Sequence, residues 1–174
     1  NGSAIIKSKD EVSTMNSTNQ TTAQISCLQK NLSAIRKIAG WTAEQLGEKI
    51  GVTKQTISNL ENGKTTMTLT QYIAIRSILD FEIQTNKENS VLPQVVEVLL
   101  NRNDEYTEEE RAIVGEKVKT IAATAAGGAQ ATSVAAVSAG LLSSFLGFPV
   151  ATIVSSAVST VWLSKILKEK GKGK

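Results

Sequence analysis

Apolar positions in the middle of the chain recur at helical spacing. Leu28, Leu32, Ile35 and Ile38 mark a first helix from about Ser26 to Ala39, and Gly40 follows as its stop. Leu46 and Ile50 mark a second, shorter helix. Thr42 with Gln45 three residues later has the form of a capping box, each side chain satisfying the other's free amide. Gly51 ends that helix at no steric cost in a left-handed conformation, and Val52 is expected to pack in the corner. Thr53 opens a third helix with Ile57 and Leu60 inward and Gly63 at its end. Residues 64–67 form a loop, after which Thr68 caps a fourth helix with Leu69, Tyr72, Ile75 and Leu79 inward.

The pattern then loosens. Residues 80–89 read as a linker, and Ser90 as the cap of a helix with Pro93 in its first turn and Val95, Val96, Leu99 and Leu100 apolar. Residues 101–106 are a polar break. Thr107 with Glu110 forms another capping box, opening a helix through Val114, Val118 and Ile121. Between Lys119 and Lys165 lie 45 residues without a charge. Val134, Val137, Leu141 and Phe145 mark one helical stripe there. Val150, Ile153 or Val154, Ala157 or Val158, and Val161 mark another, with Gly147-Phe148-Pro149 as the turn between them. The expected form is a hairpin of two helices, each approaching a bilayer's thickness.

Composition narrows the chemistry. The net charge of +3 is small, but residues 26–80 hold seven basic side chains against four acids, while residues 81–111 are acidic. No histidine is present, so His-based catalysis and His metal ligation are excluded. The single cysteine, Cys27, excludes an intramolecular disulfide and is expected to be an inert packing residue. The remaining carboxylates cluster at helix starts, where they complement the dipole. No enzyme and no cofactor are expected. Residues 1–24, rich in Ser, Thr, Asn and Gln, read as flexible, and Met15 is a candidate natural start.

On the third helix Lys54, Gln55, Ser58 and Asn59 lie opposite the apolar positions, and such side chains suit hydrogen bonding to base edges. Residues 26–80, about a third of the chain, resemble the lambdoid phage repressor and Cro family, the xenobiotic-response-element type of helix-turn-helix. The resemblance rests on Arg36-x-x-x-Gly40, Leu46-Gly47-x-x-x-Gly51-Val52-Thr53 and Ile57-Ser58-x-x-Glu61-Asn62-Gly63-Lys64. It implies a four- or five-helix domain acting as a dimer on near-palindromic operators.

By position, the resemblance implies that Lys54, Gln55 and Asn59 meet base edges, with Thr53 and Ser58 contributing. Gln55 or Asn59 would pair bidentately with adenine, and Lys54 would reach guanine. Thr42, Asn62 and Lys64 would hold phosphates and fix register. Arg36 and Glu61 match a structural ion pair between the first and third helices. One position departs from the family: the glutamine that often follows the second helix's cap is Ala43 here. Positioning of the third helix must then lean on other contacts.

For the uncharged segment two readings stand side by side. Lysines flank it at both ends and none lies near Pro149, so a membrane hairpin would leave both termini cytoplasmic, with Trp162 near the interface. Alternatively it is a helical hairpin buried in a homo-oligomer. The expectation is an all-α protein divided into a flexible segment (1–24), a helix-turn-helix domain (25–83), a helical connector (84–119), an apolar hairpin (120–168) and a basic tail (169–174). Its expected function is that of a DNA-binding transcriptional regulator, a dimeric repressor on a double-stranded operator. Membrane association through residues 120–164 is the added expectation. Rival readings are a holin-like membrane-permeabilising protein whose DNA-binding part is autoregulatory, and an antitoxin-like interaction protein.

Overall fold

The computed structural model describes residues 3–146 and 161–171, with side chains over residues 19–145 and 161–168. Every regular element among them is helical: α1 (Ser3–Ile38), α2 (Ala43–Ile50), α3 (Lys54–Glu61), α4 (Leu69–Thr85), α5 (Val91–Val96), α6 (Glu108–Ala126), α7 (Ala131–Leu146) and α8 (Val161–Gly171). The all-α expectation holds.

Capping chemistry sets most of the starts. Thr42, Thr68 and Thr107 each form a complete capping box, with Gln45, Gln71 and Glu110 as partners. The Thr107 bonds hold the exposed Glu110 carboxyl below the usual carboxylate range. At α5 the expectation fails. Ser90 makes no side-chain cap bond; instead Asn89 Oδ1 accepts from the amides of Val91 and Leu92 while its Nδ2 donates to Ile38 O. Asn89 thus caps one helix and ties it to the end of another.

Several boundaries also move. α1 begins at Ser3, so helix extends through residues expected to be flexible. Gln20 donates to Asp104 and Gln24 accepts from Tyr72, bonds to distant residues that local composition cannot foretell. α4 runs on through Thr85, occupying much of the expected linker. α5 passes into a π-helical turn over Glu97–Asn101. The expected connector is among the most buried parts of the molecule: Leu92, Val95, Val98 and Leu100 are inaccessible or nearly so.

One continuous core joins these parts. α1 is its spine, touching α3 and α4 of the helix-turn-helix and α5, α6 and α8 beyond it. Leu28, Leu32 and Ile35 of α1 lie within the same apolar cluster as Ile57 and Leu60 of α3 and Val114, Val118 and Ile121 of α6. Cys27 packs partly buried against this interior. Its Sγ donates to Leu99 O at 3.2 Å, and burial pushes its pKa up.

The uncharged segment is described in part. α6 continues across its start, and the described turn is Gly127-Gly128, with Gly128 at φ 78°. α7 buries Val134 as expected, together with Ser138 and Leu142, while Val137, Leu141 and Phe145 of the expected stripe flank that face half-buried. Ser138 Oγ donates to Gln94 Oε1 at 3.0 Å in the interior. Lys117 donates to Leu141 O, and Arg102 and Tyr106 donate to Phe145 O, so cationic and hydroxyl donors hold the last described turn of α7.

These contacts bind α7 to α5 and α6. Its 16 described residues extend about 24 Å. Among the described residues no helix is long and apolar enough to cross a membrane. The membrane hairpin therefore has no support there; the expected turn at Gly147-Phe148-Pro149 and most of the second stripe lie outside the described residues. Trp162, expected at a lipid interface, instead donates from Nε1 to Asp80 Oδ2 at 2.7 Å and meets Tyr72 edge-on.

Candidate nucleic-acid interface

Two short helices and the turn between them build the site. α2 and α3 are each eight residues, too short to be stable alone, so their positions come from packing. Leu46, Ile57 and Leu60 anchor them in the core. At the turn, Gly51 adopts φ 76° and Val52 N donates to Gly47 O at 2.9 Å. Gly47 is required for a different reason: a Cβ there would lie 2.6 Å from Val52 O. The missing side chain lets α2 and the start of α3 come into backbone contact.

α3 is fixed to α1 at two levels. Arg36 Nε and Nη2 donate to the two carboxylate oxygens of Glu61 at 2.6 and 3.0 Å, and its Nη1 donates to Trp41 O at 2.8 Å. That bidentate pair is largely buried, so it sets the angle of α3's last turn. Gln29 is the second tie, and local pattern gave no sign of it. Its Nε2 donates to Leu60 O and Thr65 O, and its Oε1 accepts from Met67 N. The loop after α3 is thereby stitched to α1 through partners more than thirty residues away. Ala43 is half-buried against the core, consistent with a helix positioned by these ties.

The outward face of α3 carries Lys54 and Gln55, exposed, beside Ser58 and Asn59, half-buried. Gln55 Nε2 donates to Asn59 Oδ1 at 2.9 Å, one turn away. Thr53 is occupied as the cap: its Oγ1 accepts from Thr56 N at 3.1 Å and lies 3.0 Å from Thr56 Oγ1. Asn62 is also occupied, its Nδ2 donating to Ser58 O at 2.8 Å and to Ser58 Oγ at 3.3 Å.

At the rim, Thr42 Oγ1 accepts from Gln45 N, which leaves the hydroxyl proton available to an outside acceptor. Lys64 is exposed on the loop after α3. Lys49 lies over the Trp41 ring at 4.9 Å. Among the described residues no group of His, Cys, Asp or Glu is arranged to hold a metal ion.

Behind the site, Tyr72, Arg76 and Asp80 of α4 form a buried polar group against Trp162 of α8. Arg76 Nε lies 3.3 Å from Asp80 Oδ1 without hydrogen-bond alignment, and its guanidinium faces the Trp162 ring. Burial raises the Asp80 pKa, outweighing the Arg76 charge and the Trp162 hydrogen bond. The same burial pushes the Tyr72 hydroxyl up to about 12.

Residues 32–85 match the family model described as helix-turn-helix. Among curated relatives, the chain is 33% identical over 63 residues to antitoxin HipB of Escherichia coli strain K12. That alignment covers 36% of this chain and 72% of the relative. It is 32% identical over 63 residues to antitoxin HipB of Escherichia coli O6:H1, covering 36% of this chain and 67% of that protein. No solved structure matches.

Proposed function

Since the chain belongs to the helix-turn-helix family of DNA-binding transcriptional regulators, we propose that it is a dimeric repressor reading an operator through α3. The observation that carries this reading is the face of α3 itself. Lys54, Gln55, Ser58 and Asn59 point away from the core, while bidentate and amide ties from Arg36 and Gln29 hold the helix from behind. A rigid helix offering amides and an ammonium group suits the major groove, whose base pairs show distinct donor and acceptor patterns.

In this reading Lys54, Gln55 and Asn59 contact bases, with Ser58 at the edge of the contact. Thr53 serves mainly as the cap. Thr42 and Lys64 bond phosphates on either side, the former through its hydroxyl proton and the latter through its ammonium. Asn62, whose side-chain donors close α3, contributes through the shape of the turn. Arg36 and Glu61 act structurally.

Selection of duplexes from a random-sequence DNA pool by the full chain tests the proposal. An inverted repeat should be enriched, with half-sites one helical turn (about 34 Å) or a multiple apart. Enrichment of no sequence would defeat it.

A second reading has a specific observation behind it: both relatives carry the name antitoxin. Here the chain would pair with a second protein and regulate its own synthesis through α3. The match to those relatives covers 36% of this chain, so any partner surface on α5 to α8 would be this chain's own. Co-purification of a defined second protein at fixed stoichiometry would favour it, and a clean homo-oligomer would favour the repressor alone. Localisation at a membrane forms no part of either reading.

A further inference from the structure

We propose that Gln55 and Asn59 act as one composite reader of a single adenine; the inference rests on α3 being the DNA-reading helix. Gln55 Nε2 donates to Asn59 Oδ1 at 2.9 Å, so the two amides lie together on the outward face, one turn apart. A primary amide has two N–H donors and a carbonyl that accepts. With one N–H and one carbonyl engaged with each other, Gln55 keeps its carbonyl and a second N–H, and Asn59 keeps its NH2 group. Flipping both amides reverses the donor and leaves the same complement, one carbonyl beside one NH2.

Adenine is the base whose edge engages both the carbonyl and the NH2. In the major groove adenine shows an N6–H donor beside the N7 acceptor. The free carbonyl accepts from N6 while the free NH2 donates to N7. Guanine presents two acceptors, O6 and N7, and offers the carbonyl no donor, so adenine is preferred over it. Lys54, a donor only, suits a neighbouring guanine instead. A solitary amide can also read adenine by turning both of its ends to the base. Here that would break the Gln55–Asn59 bond and leave the other amide without its partner. The two residues should therefore specify one base pair between them, where independent readers would specify two.

The test uses the full chain on the duplex it enriches from a random pool. One A·T pair per half-site should lose its preference, by about tenfold, in Gln55→Ala and equally in Asn59→Ala. The double variant should lose no more than either single variant. With unaltered protein, 7-deazaadenine (lacking N7) and purine (lacking the N6 amino group) at that position should each weaken binding several-fold. Because the base analogues are read by the unaltered chain, folding of the variants does not enter. Loss of preference at two different base pairs, or losses that multiply in the double variant, would overturn the composite reader while leaving α3 as the reading helix. If the unaltered chain enriches no sequence, both fall together.

Discussion

Gly47 and Val52 meet so closely that the carbonyl oxygen of Val52 occupies the place where a side chain on Gly47 would begin, 2.6 Å from its ideal Cβ. Both atoms belong to backbone or are rigidly attached to it, so neither can swing aside. Gly47→Ala would gain helix propensity worth about 1 kcal/mol, yet must push α3 away from α2. Overpacking of this kind costs typically 1–3 kcal/mol, so the variant should melt several degrees lower and bind DNA weakly. Thermal unfolding together with a binding titration checks it.

Glu61 holds both ends of the Arg36 fork in a largely buried site. Glu61→Ala strands that cation and should cost about 3–5 kcal/mol, whereas Glu61→Gln keeps one acceptor and should cost less. Urea denaturation of the two variants gives the ordering. Equal and small losses would mean that water reaches the guanidinium.

Lys64 should add affinity without sequence preference. Lys64→Ala is expected to weaken binding to all duplexes and to reduce the slope of log K against log salt by about 0.9. An unchanged slope would remove the residue from the phosphate contacts.

Asp80 and Trp162 give an optical handle on pH. The Asp80 pKa in the folded chain lies above its ordinary 3.8, because burial disfavours the carboxylate. The folded state therefore holds the proton more tightly than the unfolded state. Asp80 then favours folding most below pH 3.8, and that contribution is lost as pH rises through its folded pKa. Protonation also weakens the Trp162 Nε1 hydrogen bond. In a Trp41→Phe background, Trp162 emission should titrate above pH 3.8, and Asp80→Asn should abolish the transition.

Ser138 and Gln94 share the one polar contact described between α5 and α7, both being buried. Ser138→Ala leaves the Gln94 carbonyl oxygen without its donor and should cost about 1–3 kcal/mol despite the good fit of alanine. A double-mutant cycle with Gln94→Met should recover part of that loss. Strict additivity would show that the bond contributes nothing.

Local chemistry accounts for what was legible in the sequence. The pairs Thr42–Gln45, Thr68–Gln71 and Thr107–Glu110 are capping boxes written in four residues, and all three form. Leu46, Ile57 and Leu60 follow helical periodicity and are buried as it predicts. What could not be read depends on distant partners. Gln29 looks like a surface residue until Leu60, Thr65 and Met67 are folded beside it. The Ser- and Thr-rich start of α1 carries little helix propensity of its own. Lack of charge on α7 fits lipid and protein surroundings alike, and a buried serine paired with a buried glutamine leaves no mark on a hydropathy pattern. Gly47 was visible as part of a motif, but the carbonyl that forbids any larger residue there was not.

The spine helix α1 runs past α3 and α4 on one flank and past α6 on another, with Gly115 of α6 lying against Asn31. A fragment trimmed at residue 85, where the family match stops, would lose Val114, Val118 and Ile121 from the shared interior. Oily surface on α1 would then be stripped bare, and such a minimal fragment should clump unless new solubilising residues are grafted onto it.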